Sequence, residues 1–259
     1  MSWGSSSCEN KHMIISMGKE TIVQKKSFAV LLAITVSIMF ANVAFATNTV
    51  NLEQTPDYYS EEYQEQLAES TEEVVSYAAS KMRMRTGAQK FLSVPLYMQE
   101  EEYYCGPACA QMLLAYKNKT YDQDTLASSD YCDATEENGT IVYKFRDAVN
   151  LILGEGTYQY YYTWDQAFSA ALIYSVDRDY PVACQVLTGQ LDVYNGADYS
   201  QYVLATGYRF GTVGGVSEND VEYNDPNYLT AYYGTHIDSW DVMADAIEDN
   251  NGLYISKAR

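Results

Sequence analysis

Proline and histidine are both scarce in this chain, with five prolines and two histidines in 259 residues. So few prolines, with no Gly/Ser-rich tract, argue against a string of linked modules. A chain of this length with 47% hydrophobic residues can bury one sizeable core, so one domain plus an extension is expected. The shortage of histidine limits metal chemistry. His12 lies in the N-terminal segment, His236 stands alone, and there is no Cys-x-x-Cys pair to complete a zinc site. No metal and no cofactor are expected. Basic residues are outnumbered as well: 16 Lys and Arg against 35 Asp and Glu leave a formal charge of −19. Nucleic acid and anionic lipid are bound mainly through Lys and Arg, so such a surface repels both. The acidity accounts for solubility, or for a preference for cationic substrates, and the sequence leaves that choice open. Phenylalanine is rare too, with seven against 26 Tyr. Tyr replacing Phe on half-exposed strands is the plain reading, and a stacking platform for sugar or peptide is the alternative.

One apolar run reads as an address. Lys25 and Lys26 precede Phe28 to Phe40, and the run leads to Ala44-Phe45-Ala46 with Thr47 after it. A basic segment, an apolar segment and a small-x-small site make a secretory signal peptide over residues 1–46. An uncleaved anchor is the rival, because the run is just long enough to span. Met13 or Met17 is a plausible true start. The expected mature chain begins near Thr47 and is secreted, extracellular or associated with the cell surface, a monomer with no membrane partner after cleavage. Its four cysteines, Cys105, Cys109, Cys132 and Cys184, are too few for a disulfide framework in a domain this large.

Residues 47–90 are polar and acidic, with loose helical spacing at Leu67, Val74, Val75, Tyr77 and Ala78. They read as a helical extension, a propeptide-like arm or a plain linker. From Phe91 the texture changes. Leu92 to Met98 reads as a short strand, and Gly106-Pro107 opens a helix through Tyr116. Further helices are expected at Asp122 to Ser128, Thr140 to Leu153, Thr163 or Trp164 to Val176, and Ser239 to Ile247. Short strands are expected at Pro181 to Leu187, Gln201 to Thr206, Val221 to Asn224 and Leu253 to Ser256. Helices first and strands later is an α+β layout, with the domain running over 91–259.

Cys105 falls where a loop ends and a helix begins. A thiolate there is stabilised by unpaired N–H groups and the positive end of the helix dipole, which favours a nucleophile. Cys109, one turn on, is expected to face the core. Cys132 and Cys184 fit packing roles, and a disulfide at Cys132 stays open.

Val94-Pro-Leu-Tyr-Met-Gln99 and Tyr103-Tyr-Cys105-Gly-Pro-Ala resemble the nucleophile region of the bacteriocin-processing peptidases that cleave double-glycine leaders. The likeness is greatest to their stand-alone secreted relatives, the C-thirty-nine-like peptidases. Asn138-Gly-Thr140, Tyr180-Pro-Val-Ala, Tyr202-Val-Leu-Ala-Thr-Gly-Tyr208 and Tyr223-Asn-Asp225-Pro226 continue it in family order, over about 170 residues. The P-loop and membrane helices of the transporter-coupled versions are not seen. The resemblance implies a papain-like cysteine peptidase fold, α+β, its helical N-terminal half packed on a mainly antiparallel sheet. It also implies Cys105 as nucleophile, Gln99 as an oxyanion-hole donor and Asp225 as the group that orients an imidazole. An Asx turn with Pro226 is the structural alternative for Asp225.

At the family's histidine position this chain has Gln201. Glutamine cannot take the thiol proton or return it to a leaving amine. His236, expected on a loop able to fold back over the cleft, is the one replacement base in the mature chain. Two functions therefore remain: a secreted cysteine peptidase acting on peptide or amide bonds, or a degenerate relative that binds peptide or cell-wall fragments in the inherited cleft. Either takes a peptide or protein as substrate or ligand.

Overall fold

The computed structural model describes residues 52–83, 87–154, 156–213 and 216–258. The signal segment expected at residues 1–46 lies outside them. No helix among the described residues is long and apolar enough to cross a membrane.

Among the described residues seven strands carry the fold: β1 Ala88–Phe91, β2 Tyr158–Tyr162, β3 Val182–Leu187, β4 Ser200–Val213, β5 Val216–Asp225, β6 Gly234–Ser239 and β7 Leu253–Lys257. They form one sheet in the order β2-β7-β3-β4-β5-β6, and every pairing is antiparallel. The 14-residue β4 is its spine. Residues 200–205 of β4 pair with β3, residues 207–210 pair with β1, and the register against β5 slips between Ala205 and Gly207. Thr206 is the extra residue of this bulge, and its hydroxyl donates to the Glu222 carboxylate at 2.9 Å.

Six α-helices among the described residues accompany the sheet: α1 Glu61–Met82, α2 Cys105–Tyr116, α3 Gln123–Ala127, α4 Val142–Leu153, α5 Phe168–Asp177 and α6 Trp240–Asp249. Several start where the sequence supplies a cap. Asp122 accepts from the Thr125 N–H at 2.7 Å ahead of α3, and Ser239 from the Val242 N–H at 3.2 Å ahead of α6. The cap of α4 comes from far away: the Gln54 side chain accepts from the Val142 N–H at 2.8 Å. Val142, Phe145 and Val149, at helical spacing, are buried on the inner face of α4.

Residues 47–90 contribute α1, which lies over the β2 edge of the sheet. Tyr63, Leu67, Val74 and Ala78 form its buried stripe. The Tyr63 hydroxyl donates to the Tyr160 carbonyl at 2.9 Å, and the two rings stack with centroids 5.0 Å apart. This bond satisfies one main-chain carbonyl of the edge strand β2.

The tyrosines correct the expectation of half-exposed strands. Tyr158, Tyr160, Tyr161, Tyr162, Tyr174, Tyr194, Tyr208, Tyr223 and Tyr254 are all fully buried. A ring can be buried at little cost where its hydroxyl finds an acceptor, and here the acceptors are mostly carboxylates. Tyr58 donates to Asp165, Tyr77 and Tyr208 to Asp177, Tyr160 to Asp57, Tyr174 to Glu73, Tyr194 to Asp225 and Tyr223 to Asp238. The excess of acid and the excess of tyrosine are thus partly one feature.

Several element boundaries also differ from the reading of the sequence. Leu92 to Met98 forms no strand: Leu92 still donates to the Thr206 carbonyl at 2.9 Å, but Val94 turns its N–H back to the Leu92 carbonyl at 2.8 Å and Pro95 has none to offer; the strand lies earlier, at Ala88–Phe91. β2 gave no alternation because both its faces are buried. α5 starts at Phe168 because Thr163 still bonds the Gly252 carbonyl at 2.9 Å, extending the β2–β7 ladder.

Candidate active site

α2 begins at Cys105 without a side-chain cap, after a turn closed by the Tyr104 N–H on the Glu101 carbonyl at 3.0 Å. Pro107 sits in the first turn, where its missing N–H is not needed. Gly106 is required by packing rather than by backbone angle: a Cβ there would run into the Thr140 side chain. The Asn138-Gly-Thr140 segment therefore lies directly across the start of the helix.

The Cys105 side chain opens onto a cavity of about 450 Å³, lined also by Gln201, Tyr202, Thr140 and Gln185. Burial pushes the thiol up to about 11, against a partial lowering by the Tyr202 and Gly106 backbone, and the Asp225 charge raises it further. Helix-terminus stabilisation, expected to lower it, is outweighed because the residue is only 8% exposed.

Gln99, Gln201 and Asp225 form one chain of bonds. Gln201 Nε2 donates to Gln99 Oε1 at 3.1 Å and to Asp225 Oδ1 at 3.2 Å. Gln99 Nε2 donates to the carbonyls of Glu101 and Glu102, at 2.9 and 2.8 Å. The amide orientations follow from the partners, since carbonyl and carboxylate oxygens only accept. Both Gln99 protons are thereby committed to carbonyls, and none is left for an oxyanion.

Asp225 is completely buried. Its Oδ2 accepts from the Tyr194 hydroxyl at 2.6 Å and its Oδ1 from the Asn227 N–H at 2.9 Å. The second bond is the Asx turn around Pro226, so Asp225 shapes a turn and joins the site at once. Burial raises its pKa, and its hydrogen bonds offset only part of that. Asn227 Nδ2 in turn donates to the Tyr194 hydroxyl at 3.0 Å. Asn227 was detectable in the Asp-Pro-Asn run. Tyr194 carries no sequence signal, sitting in a short 3-10 turn far from any motif.

His236 is placed on β6, not on a loop, opposite Tyr223 in the β5–β6 ladder. Its Nε2 lies 2.7 Å from the Tyr232 carbonyl and must carry the proton that bonds it. It is not among the residues lining the Cys105 cavity. The structure thus gathers Cys105, Gln99, Gln201 and Asp225 and leaves His236 outside. Cys109 faces inward, its thiol 3.5 Å from the Tyr202 carbonyl. Cys132 and Cys184 are buried and free, so the disulfide left open at Cys132 is not formed.

A family profile described as the Peptidase_C39 like family matches residues 91–249. The chain belongs to this family. Its fold is accordingly that of a papain-like cysteine peptidase, with helices packed on an antiparallel sheet. Among solved structures, the C-thirty-nine-like chain is similar to a double glycine motif protease from an AMS/PCAT transporter, crystallised in complex with the leader peptide. Identity is 16% and the TM-score 0.42, over 66% of this chain and 95% of that one. It is also similar to the peptidase domain of Streptococcus ComA, a bi-functional ABC transporter involved in a quorum sensing pathway. There identity is 18% and the TM-score 0.42, over 63% and 96% of the two chains. No curated protein matches the chain.

Proposed function

We propose that this is an exported, peptide-binding member of the family that does not hydrolyse its ligand through Cys105. One observation carries the reading: Gln201, which we assign to the position of the family's histidine, spends its amide nitrogen on Gln99 and Asp225. An amide neither accepts a thiol proton nor becomes the cation that would stabilise a thiolate. Burial holds the Cys105 side chain as the neutral thiol near pH 7. Export rests on the Lys25 to Ala46 pattern, and the peptide ligand rests on family membership and on the open cavity beside Cys105.

Hydrolysis by Cys105 is the second reading, favoured by a thiol at a helix start facing that cavity, with Asp225 near it. Mass spectrometry of a peptide library separates the two. No cleavage dependent on Cys105 is expected, and turnover that disappears in Cys105→Ala would overturn the proposal. Gln201→His supplies a base beside Asp225 and is expected to raise iodoacetamide labelling of Cys105 at pH 7 by about tenfold or more.

A further inference from the structure

The cavity beside Cys105 carries a charge pattern that thiol chemistry does not ask for. Glu102 and Glu137 line it, and no Lys, Arg or His does among the described residues. Glu137 is exposed, and Glu102 accepts from the Tyr228 hydroxyl at 3.2 Å. Asp225 stands behind Gln201, one hydrogen bond from the wall. Deeper in, Gln185 and Thr140 are 8% and 3% exposed, and Gln185 Oε1 and Thr140 Oγ1 have no hydrogen-bond partner. An amide oxygen only accepts, so Gln185 Oε1 is satisfied by an incoming N–H or O–H and by nothing anionic. Gln185 lines the cavity wall, so reaching its oxygen requires only side-chain shifts of the kind common on binding. Carboxylates around a low-dielectric cleft focus their field into it and concentrate cations there.

We propose that this cleft takes its peptide through a cationic nitrogen, a lysine or arginine side chain or a free amino terminus. Glu102 and Glu137 hold the charge, and Gln185 accepts from a neighbouring N–H of the same peptide. The inference rests on the peptide-binding reading above and adds the ligand's charge to it.

Three pentapeptides labelled with a fluorophore at the C-terminus provide the test, read by anisotropy on the full mature chain at low and high salt. The first is N-acetylated Gly-Gly-Lys-Gly-Gly. The second is identical except that its lysine is Nε-acetylated. The third has the acetylated lysine and a free amino terminus. The first or the third is expected to bind about tenfold more tightly than the second, with the preference shrinking in salt; which of them does so tells the side chain from the terminus. In the double variant Glu102→Gln, Glu137→Gln the preference is expected to fall to about twofold. Gln185→Met is expected to weaken all three severalfold, and unchanged affinity removes Gln185 from the site. Equal binding of the three peptides overturns the inference and leaves peptide binding standing. A preference that survives in the double variant overturns it too, assigning the effect to the overall charge. If none of the three binds, both readings fall together.

Discussion

Asp177, half-buried, and Asp225, fully buried, are both carboxylates that accept from tyrosine hydroxyls, and their acidities move in opposite directions. Asp177 receives Tyr77 and Tyr208 and also the Lys81 ammonium at 2.7 Å. Burial raises it, but these bonds and the lysine charge prevail and hold it below the usual carboxylate value. Asp225 receives Tyr194, Gln201 and the Asn227 N–H, all of them neutral, and burial prevails. Two things differ: Asp225 is the more deeply buried, and it lacks a cation bonded to it, His236 acting on it only through space. In a thiol peptidase an imidazole supplies that cation as it takes the proton; under the function proposed above, the Gln201 amide bonded to Asp225 takes that position.

Removing the paired carboxylate should have the largest effect. Asp177→Ala leaves Lys81 and two tyrosine hydroxyls without their acceptor under an 8% exposed side chain, and loosens α1 from α5. A loss of about 2–3 kcal/mol in urea unfolding is expected. A loss below about 0.5 kcal/mol would mean that the cation makes no difference.

A third carboxylate gives the sign of the unpaired case. Burial raises Asp165 to about 6, against a lowering by the Tyr58 hydroxyl. The folded state then holds a proton that the unfolded state releases near 4, so the group favours folding in acid. That contribution is lost as the pH rises from about 4 through about 6. Asp165→Asn should therefore gain about 1–2 kcal/mol on wild type across that window, screening by its partial exposure having been allowed for. Stability curves of the two proteins against pH check it, and parallel curves would remove Asp165 as a titrating group. Asp177 runs the other way, its contribution being lost as the pH falls.

The smallest change in stability is expected at the cleft. Asp225→Asn removes a charge to which no cation is hydrogen-bonded while keeping one acceptor oxygen, and should stay within about 1 kcal/mol of wild type. Its readout is Cys105. The Asp225 charge raises that thiol, so iodoacetamide labelling should become a few-fold faster in the variant. In a working triad the loss of the orienting carboxylate impairs the nucleophile, so slower labelling would break the comparison.

Local chemistry was the legible part. Cys105 before Gly106-Pro107, the Asp122 and Ser239 caps and the helix at α4 all follow from neighbouring residues, and the structure has them within a few positions. β2 and β6 were not legible. β2 is a run of tyrosines buried on both faces, and β6 is a polar edge strand defined by its pairing with β5. His236 looked like a loop residue for the same reason. Gln99, Gln201 and Asp225 could be aligned with their family positions, but the way their amides point could not be read.

What the sequence determined by itself is what adjacent residues dictate: a thiol at a helix start and an Asp-Pro pair at Asp225 suited to a turn. Tertiary structure decided what each of those groups bonds to. Gln99 and Gln201 are 102 positions apart and Tyr58 and Asp165 are 107 apart. Only strand register and helix packing bring such partners to within a hydrogen bond, and that proximity settles which protons are spent, which charge stays unpaired and how readily the thiol ionises.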